Sequence, residues 1–82
     1  MRGYSQFIVE ANREAEPSIG VHLGALCIDR KISATDVSKK LNISKQTVYD
    51  WFSGKTIPSY KKLNELQAYI KELSGREYVE NR

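Results

Sequence analysis

Little in this 82-residue chain could hold it together covalently or through a metal: it has one cysteine, Cys27, and one histidine, His22. A lone cysteine excludes an intramolecular disulfide, and on an apolar segment it reads as a small core residue rather than a nucleophile. His22 has no Cys, Asp or Glu at ligand or base spacing, so no catalytic residue, metal or cofactor is assigned. No run of about 18 apolar residues exists to cross a bilayer. The opening MRGYSQFIVEANRE lacks the apolar core and cleavage site of a signal peptide. A reduced, cytoplasmic protein away from membranes is therefore expected. A chain of this length buries only about 60 to 65% of the surface its unfolded form exposes, which leaves little room for a deep cavity. Neither an enzyme nor a small-molecule receptor is expected.

What the sequence does have is positive charge, and it is concentrated. The formal net charge is +3. Residues 30 to 62 carry eight basic side chains against Asp36 and Asp50, whereas the segments on either side are each slightly acidic. A localised basic face, more than the total, is the electrostatic footprint of a polyanion binder.

Helical spacing accounts for most of the apolar residues. Tyr4, Phe7, Ile8, Ala11 and Ala15 follow a helical period, although Phe7-Ile8-Val9 also fits a short strand. Pro17 breaks that segment, and either Pro17 or the N-cap candidate Ser18 starts the next. From Ser18 to Arg30, the residues Ile19, Leu23, Leu26 and Arg30 fall on one stripe. Val21, Cys27 and Ile28 lie off it and call for a second cover, from the N-terminal segment or from another subunit. Gly20 and Gly24, one turn apart, would admit a close neighbouring backbone. Farther on, Leu63, Leu66, Ile70 and Leu73 mark an amphipathic helix over 60–73 that Ser59 can cap and Gly75 ends. The tail REYVENR is too short for an element of its own unless it docks.

Between these lies the stretch SATDVSKKLNISKQTVYDWFSGK, residues 33 to 55. Ser33 is placed to cap a helix, with Asp36 near its positive end. Asn42 tolerates the left-handed backbone of a sharp turn. Ser44 caps a second helix, and Gly54 stops it with a positive φ. Val37, Leu41, Val48 and Trp51 sit where two crossed helices would share a core. With Val48 inward, an advance of about 100° per residue puts Trp51 and Phe52 on the same side and Gln46, Asp50, Ser53 and, at the edge, Tyr49 opposite. Lys45 and Thr47 flank the first turn.

Such a face suits insertion into a major groove. Gln46 can bond adenine N6 and N7, Lys45 can donate to guanine O6 and N7, and Tyr49 and Thr47 can touch a thymine methyl or a phosphate. Asp50 either accepts from cytosine N4 or repels wrong approaches. The base-reading set is thus Lys45, Gln46, Thr47, Tyr49 and Asp50. The phosphate set is Ser33, Ser44, Lys39, Lys40, Ser53, Lys55, Lys61 and Lys62, because lysines at loops and helix ends position without reading sequence.

Residues 19 to about 73 resemble the lambda-repressor-like, Cro-like helix-turn-helix family of the XRE type. The likeness rests on Ile19, Gly20, Leu23 and Leu26, then Ile32, Ser33, Val37, Ser38, Leu41, Ile43, Ser44, Thr47, Val48, Trp51, Gly54 and Lys55, then Pro58, Ser59, Leu63 and Leu66. It implies an all-α, compact bundle of four to five helices, with residues 45–52 as recognition helix. An N-terminal extension (1–16), the helix-turn-helix domain (17–74) and a short C-terminal tail (75–82) are then expected. It also implies a transcriptional regulator, of the phage or plasmid repressor sort, that binds a double-stranded DNA operator as a weak homodimer. Its setting would be the nucleoid of a bacterial or phage-infected cell. Departures are Ser38 where relatives usually have alanine, Asn42 where they usually have glycine, and Ala34 where a glutamine is common. The fifth, dimerising helix of relatives is absent or vestigial, and the N-terminal extension is a candidate replacement. The other functional class that fits is a protein-interaction module of the antirepressor, antitoxin or polymerase-binding kind, docking through Tyr4, Phe7, Ile8 and the tyrosine of the tail.

Overall fold

Four serines in extended backbone open the four helices that precede the last. Ser5, Ser18, Ser33 and Ser44 each accept, through Oγ, the backbone N–H three residues on, at 3.1 to 3.3 Å. Each bond satisfies one of the N–H groups that a helix start leaves without an intrahelical partner. The computed structural model describes residues 4–79, so the ends of the expected extension and tail lie outside the described residues. The elements are α1 (Gln6–Glu14), α2 (Ile19–Asp29), α3 (Ala34–Leu41), α4 (Lys45–Ser53), a 3-10 turn (Tyr60–Lys62) and α5 (Leu63–Ser74). The described chain is all-helical, which removes the strand alternative for Phe7-Ile8-Val9.

The core is formed by Leu23 and Cys27 of α2, Ala34, Val37 and Leu41 of α3, Val48, Trp51 and Phe52 of α4, and Leu66, Tyr69 and Ile70 of α5. Helix α2 lies in the middle, against α1, α4 and α5. Its deepest residues are Gly20, Val21, Leu23, Gly24 and Cys27, while Ile19 and Leu26 of the expected stripe are only half-buried and Arg30 is an exposed C-cap. A helix packed on several sides has no single apolar stripe. The second cover for Val21 comes from the chain's own α1. Burial pushes the Cys27 thiol up to about 12, so it stays protonated and inert.

Helix α1 is rotated from the sequence expectation. Tyr4 precedes the helix, ahead of its cap Ser5, and Phe7, expected inward, is 74% exposed. The buried residue is Asn12, the one buried polar side chain among the described residues. Its Nδ2 donates to the Val21 carbonyl at 3.0 Å and to the Phe52 carbonyl at 2.7 Å. One amide therefore ties α1 to α2 and to the C-terminal end of α4. Gly24 makes room for it: a Cβ there would lie 2.6 Å from Asn12 Nδ2 and 2.9 Å from Phe52 Cβ.

Two turns place a residue other than glycine in left-handed backbone. Asn42, at φ 57°, ends α3 and sends the chain into α4, and Lys31, at φ 59°, does the same between α2 and α3. Asparagine supports such a conformation with its short polar side chain, whereas lysine carries no signature for it. At the other end, Tyr60 opens a 3-10 turn and is 88% exposed, so the last helix begins at Leu63. Leu66, Tyr69 and Ile70 are its buried face, with Leu63 and Leu73 half-buried. The tail docks on its own chain: Gln67 donates to the Tyr78 carbonyl at 2.9 Å and accepts its N–H at 2.8 Å. Tyr78 also lies against the His22 ring, centroids 4.9 Å apart. No helix of the described residues is long and apolar enough to cross a membrane.

Candidate nucleic-acid interface

Helix α4 is held from three sides, and its remaining side is open. Val48 and Phe52 are fully buried and Trp51 is 5% exposed, which fixes the helix against α2 and α3. At the C-terminal end, Gly54 turns at φ 82°, a conformation open to glycine, and the Asp50 carbonyl accepts from Lys55 N at 2.9 Å and Thr56 N at 3.3 Å. The Phe52 carbonyl, which the helix itself leaves unpaired, is taken by Asn12. Residues far apart in sequence thus set the angle at which α4 is presented.

At the N-terminal end, Ser44 Oγ accepts from Thr47 N at 3.1 Å and lies 2.9 Å from Thr47 Oγ1. Both hydroxyls are therefore engaged in the cap, which leaves Thr47 half-buried. Lys45 and Gln46 are the exposed residues of the first turn. Gln46 Nε2 donates to Asp50 Oδ1 at 2.9 Å, so the two polar residues expected to act separately form one unit. Ser53 turns its hydroxyl back to the Asp50 carbonyl at 3.3 Å. Tyr49, expected at the open edge, is half-buried, its ring meeting Tyr4 edge-on at 6.4 Å and 87°.

Tyr4 completes that contact from before α1. Its ring lies 5.7 Å from Phe52 and its hydroxyl donates to the Ile32 carbonyl just ahead of α3. Burial raises the pKa of this phenol, so it remains a donor. Tyr4, Ile8 and Tyr78 are half-buried, and of the side chains anticipated for a protein-docking surface Phe7 alone is exposed.

The lysines divide into two groups. Lys39, Lys45, Lys55 and Lys61 are exposed around α3, α4 and the loop that follows. Lys62 and Lys40, expected at phosphates, are used by the protein itself. Lys62 Nζ donates to the Leu41 carbonyl at 2.8 Å, supplying a partner to the C-terminal end of α3, and lies 3.4 Å from Glu65. Lys40 pairs with Glu72 at 3.2 Å and lies 5.6 Å from the centre of the Tyr69 ring, which draws it towards α5. Ser33 caps α3, as its spacing implies.

Besides Asn42, which supplies the left-handed turn after α3, the two other departures from the family pattern have local answers. Ser38 turns its hydroxyl onto the Thr35 carbonyl of its own helix at 2.8 Å, so the serine spares the contact between α3 and α4 an unpaired polar group. Ala34 is 7% exposed and part of the core, a place without room for a long polar side chain. Sequence reasoning missed Asn12 and Lys31. Neither residue type carries a signal in its position, because what each does depends on elements that come together only in the fold.

No group of three or more His, Cys, Asp or Glu able to hold a metal exists among the described residues. The profile of the helix-turn-helix family matches residues 23–75, from Leu23 in α2 to Gly75 after α5. No curated protein and no solved structure matches the chain.

Proposed function

The chain belongs to the helix-turn-helix family of the lambda-repressor and Cro type, and from that premise we propose that this DNA-binding regulator is a sequence-specific repressor that reads the major groove with α4. The observation that carries the proposal is the open face of α4. Lys45 and the Gln46–Asp50 pair occupy it, and exposed lysines flank it at 39, 55 and 61. A helix packed on its other sides and polar on this one can enter a groove about 12 Å wide without exposing core. Lys45 and Gln46 address base edges, Thr47 and Tyr49 border them, and Lys39, Lys55 and Lys61 meet phosphates, with Ser33, Ser44 and Ser53 at the helix ends. Two copies on a two-fold operator would place equivalent helices about one turn apart, roughly 34 Å.

Selection from random duplexes, followed by affinity measured across a salt series, tests this. The expected result is one enriched palindromic motif and an affinity that falls steeply with salt, by about 0.9 logarithmic units per phosphate contact for each tenfold increase. Recovery of no motif, or a salt-insensitive affinity, would overturn it.

A further inference from the structure

We propose that Asp50 is a positioning residue that makes Gln46 accept adenine and reject guanine. This rests on Gln46 reading a base edge, and it adds how the choice between the two purines is made. Gln46 Nε2 donates to Asp50 Oδ1 at 2.9 Å, one helical turn along the open face of α4. An ionised carboxylate accepts only, so the pairing fixes which end of the Gln46 amide faces Asp50. Asp50 is itself held in place, half-buried, with its carbonyl bonded by the N–H groups of Lys55 and Thr56.

The consequence follows from counting hydrogens. The amide nitrogen has two, and Asp50 takes one. What remains to Gln46 is one donor and its carbonyl acceptor. In the major groove adenine presents an acceptor, N7, beside a donor, N6, which is the matching pattern; guanine presents two acceptors, N7 and O6. An untethered glutamine can meet guanine by lending both hydrogens of its nitrogen. With one of them held by Asp50, guanine finds a single donor, and O6 faces the Gln46 carbonyl oxygen. The discrimination therefore comes from the number of free donors, which Asp50 sets without touching the base.

The test uses the full chain and four duplexes that differ only at the base pair whose preference Gln46→Ala removes. Wild-type protein should favour adenine over guanine there by about 5- to 150-fold, the range of a good bidentate contact. Asp50→Ala should bring that ratio towards one by raising affinity for the guanine duplex, while Asp50→Glu, which keeps a carboxylate one turn from Gln46, should retain it. Loss of an acidic group also strengthens binding to DNA of any sequence, but this cancels in the ratio. A wild-type ratio in Asp50→Ala, with adenine preference still lost in Gln46→Ala, overturns the role of Asp50 and leaves Gln46 as the reader. Preferences unchanged at every position in Gln46→Ala remove Gln46 from base reading, and this proposal with it.

Discussion

Replacing Asn12 by alanine should destabilise the fold far more than its place on a short first helix suggests. The wild-type amide gives 2.7 Å and 3.0 Å bonds to the carbonyls of Phe52 and Val21. The Phe52 carbonyl belongs to the last turn of α4, where the helix ladder offers no partner, so its loss leaves a buried acceptor unsatisfied at about 1 to 3 kcal/mol. The Val21 carbonyl lies within α2 and keeps its place in the ladder, so the second bond adds about 0.5 to 1.5 kcal/mol. Together these give roughly 2 to 4 kcal/mol, equivalent to a fall in Tm of roughly 8 to 30 °C for a domain of this size. Urea and thermal unfolding followed by circular dichroism provide the assay. Asn12→Asp supplies a control of sign. An ionised carboxyl cannot donate to either carbonyl, so the fold holds its proton more tightly than the unfolded chain does. Stability is then worse than that of Asn12→Ala at neutral pH, and it recovers as pH falls through the raised folded value towards the unfolded one, about 3.9. An Asn12→Ala change within about 0.5 kcal/mol of wild type, the range of an ordinary surface substitution, would refute the reasoning.

Other outcomes follow from the same geometry. Gly24→Ala should lower stability by about 1 to 3 kcal/mol through overpacking, since its Cβ would lie 2.6 Å from Asn12 Nδ2 and 2.8 Å from Phe52 Cγ; an unchanged denaturation midpoint would count against that close approach. Burial pushes the Tyr69 hydroxyl up to about 12 from 10.0, so its share of stability is complete below pH 10 and is lost between about 10 and 12. Tyr69→Phe should accordingly flatten part of the alkaline decline in unfolding midpoints, and an identical decline would exclude this source. Lys39→Ala and Lys55→Ala should each reduce the salt slope of DNA binding by about 0.9. Lys62→Ala should leave that slope alone and cost about 1 to 2 kcal/mol of stability, because its amine serves the Leu41 carbonyl at 2.8 Å.

Helix α1 and the residue before it are tied by packing to α4 and to the segment ahead of α3. Asn12 closes the end of α4, and Tyr4 supports Tyr49 and Phe52 while holding the segment before α3 through Ile32. The family profile begins at Leu23 and does not include this helix. A segment outside the matched region thus braces both α3 and α4.

Local chemistry was legible in the sequence wherever a residue acts on its own neighbours. Ser18, Ser33 and Ser44 as caps, Asn42 as the left-handed turn and Gly54 as the stop each depend on backbone within a few residues, so composition and spacing decide them. Periodicity marked most of the helical segments for the same reason, while the all-α bundle was what the family resemblance implied. Tertiary structure alone decided the rest. Phe7 faces outward and Asn12 inward because α1 turns to meet two carbonyls, one 9 and one 40 residues away. Lys40 and Lys62 are drawn to Glu72 and the Leu41 carbonyl because the fold brings α5 and the 3-10 turn before it within reach of the end of α3, whereas a lysine's sequence neighbours say nothing about which oxygen will lie within reach of its long, flexible side chain. Gln46 and Asp50 lie between these limits. Their spacing by four permits a bond, and the packing of α4 leaves that bond on its one open face.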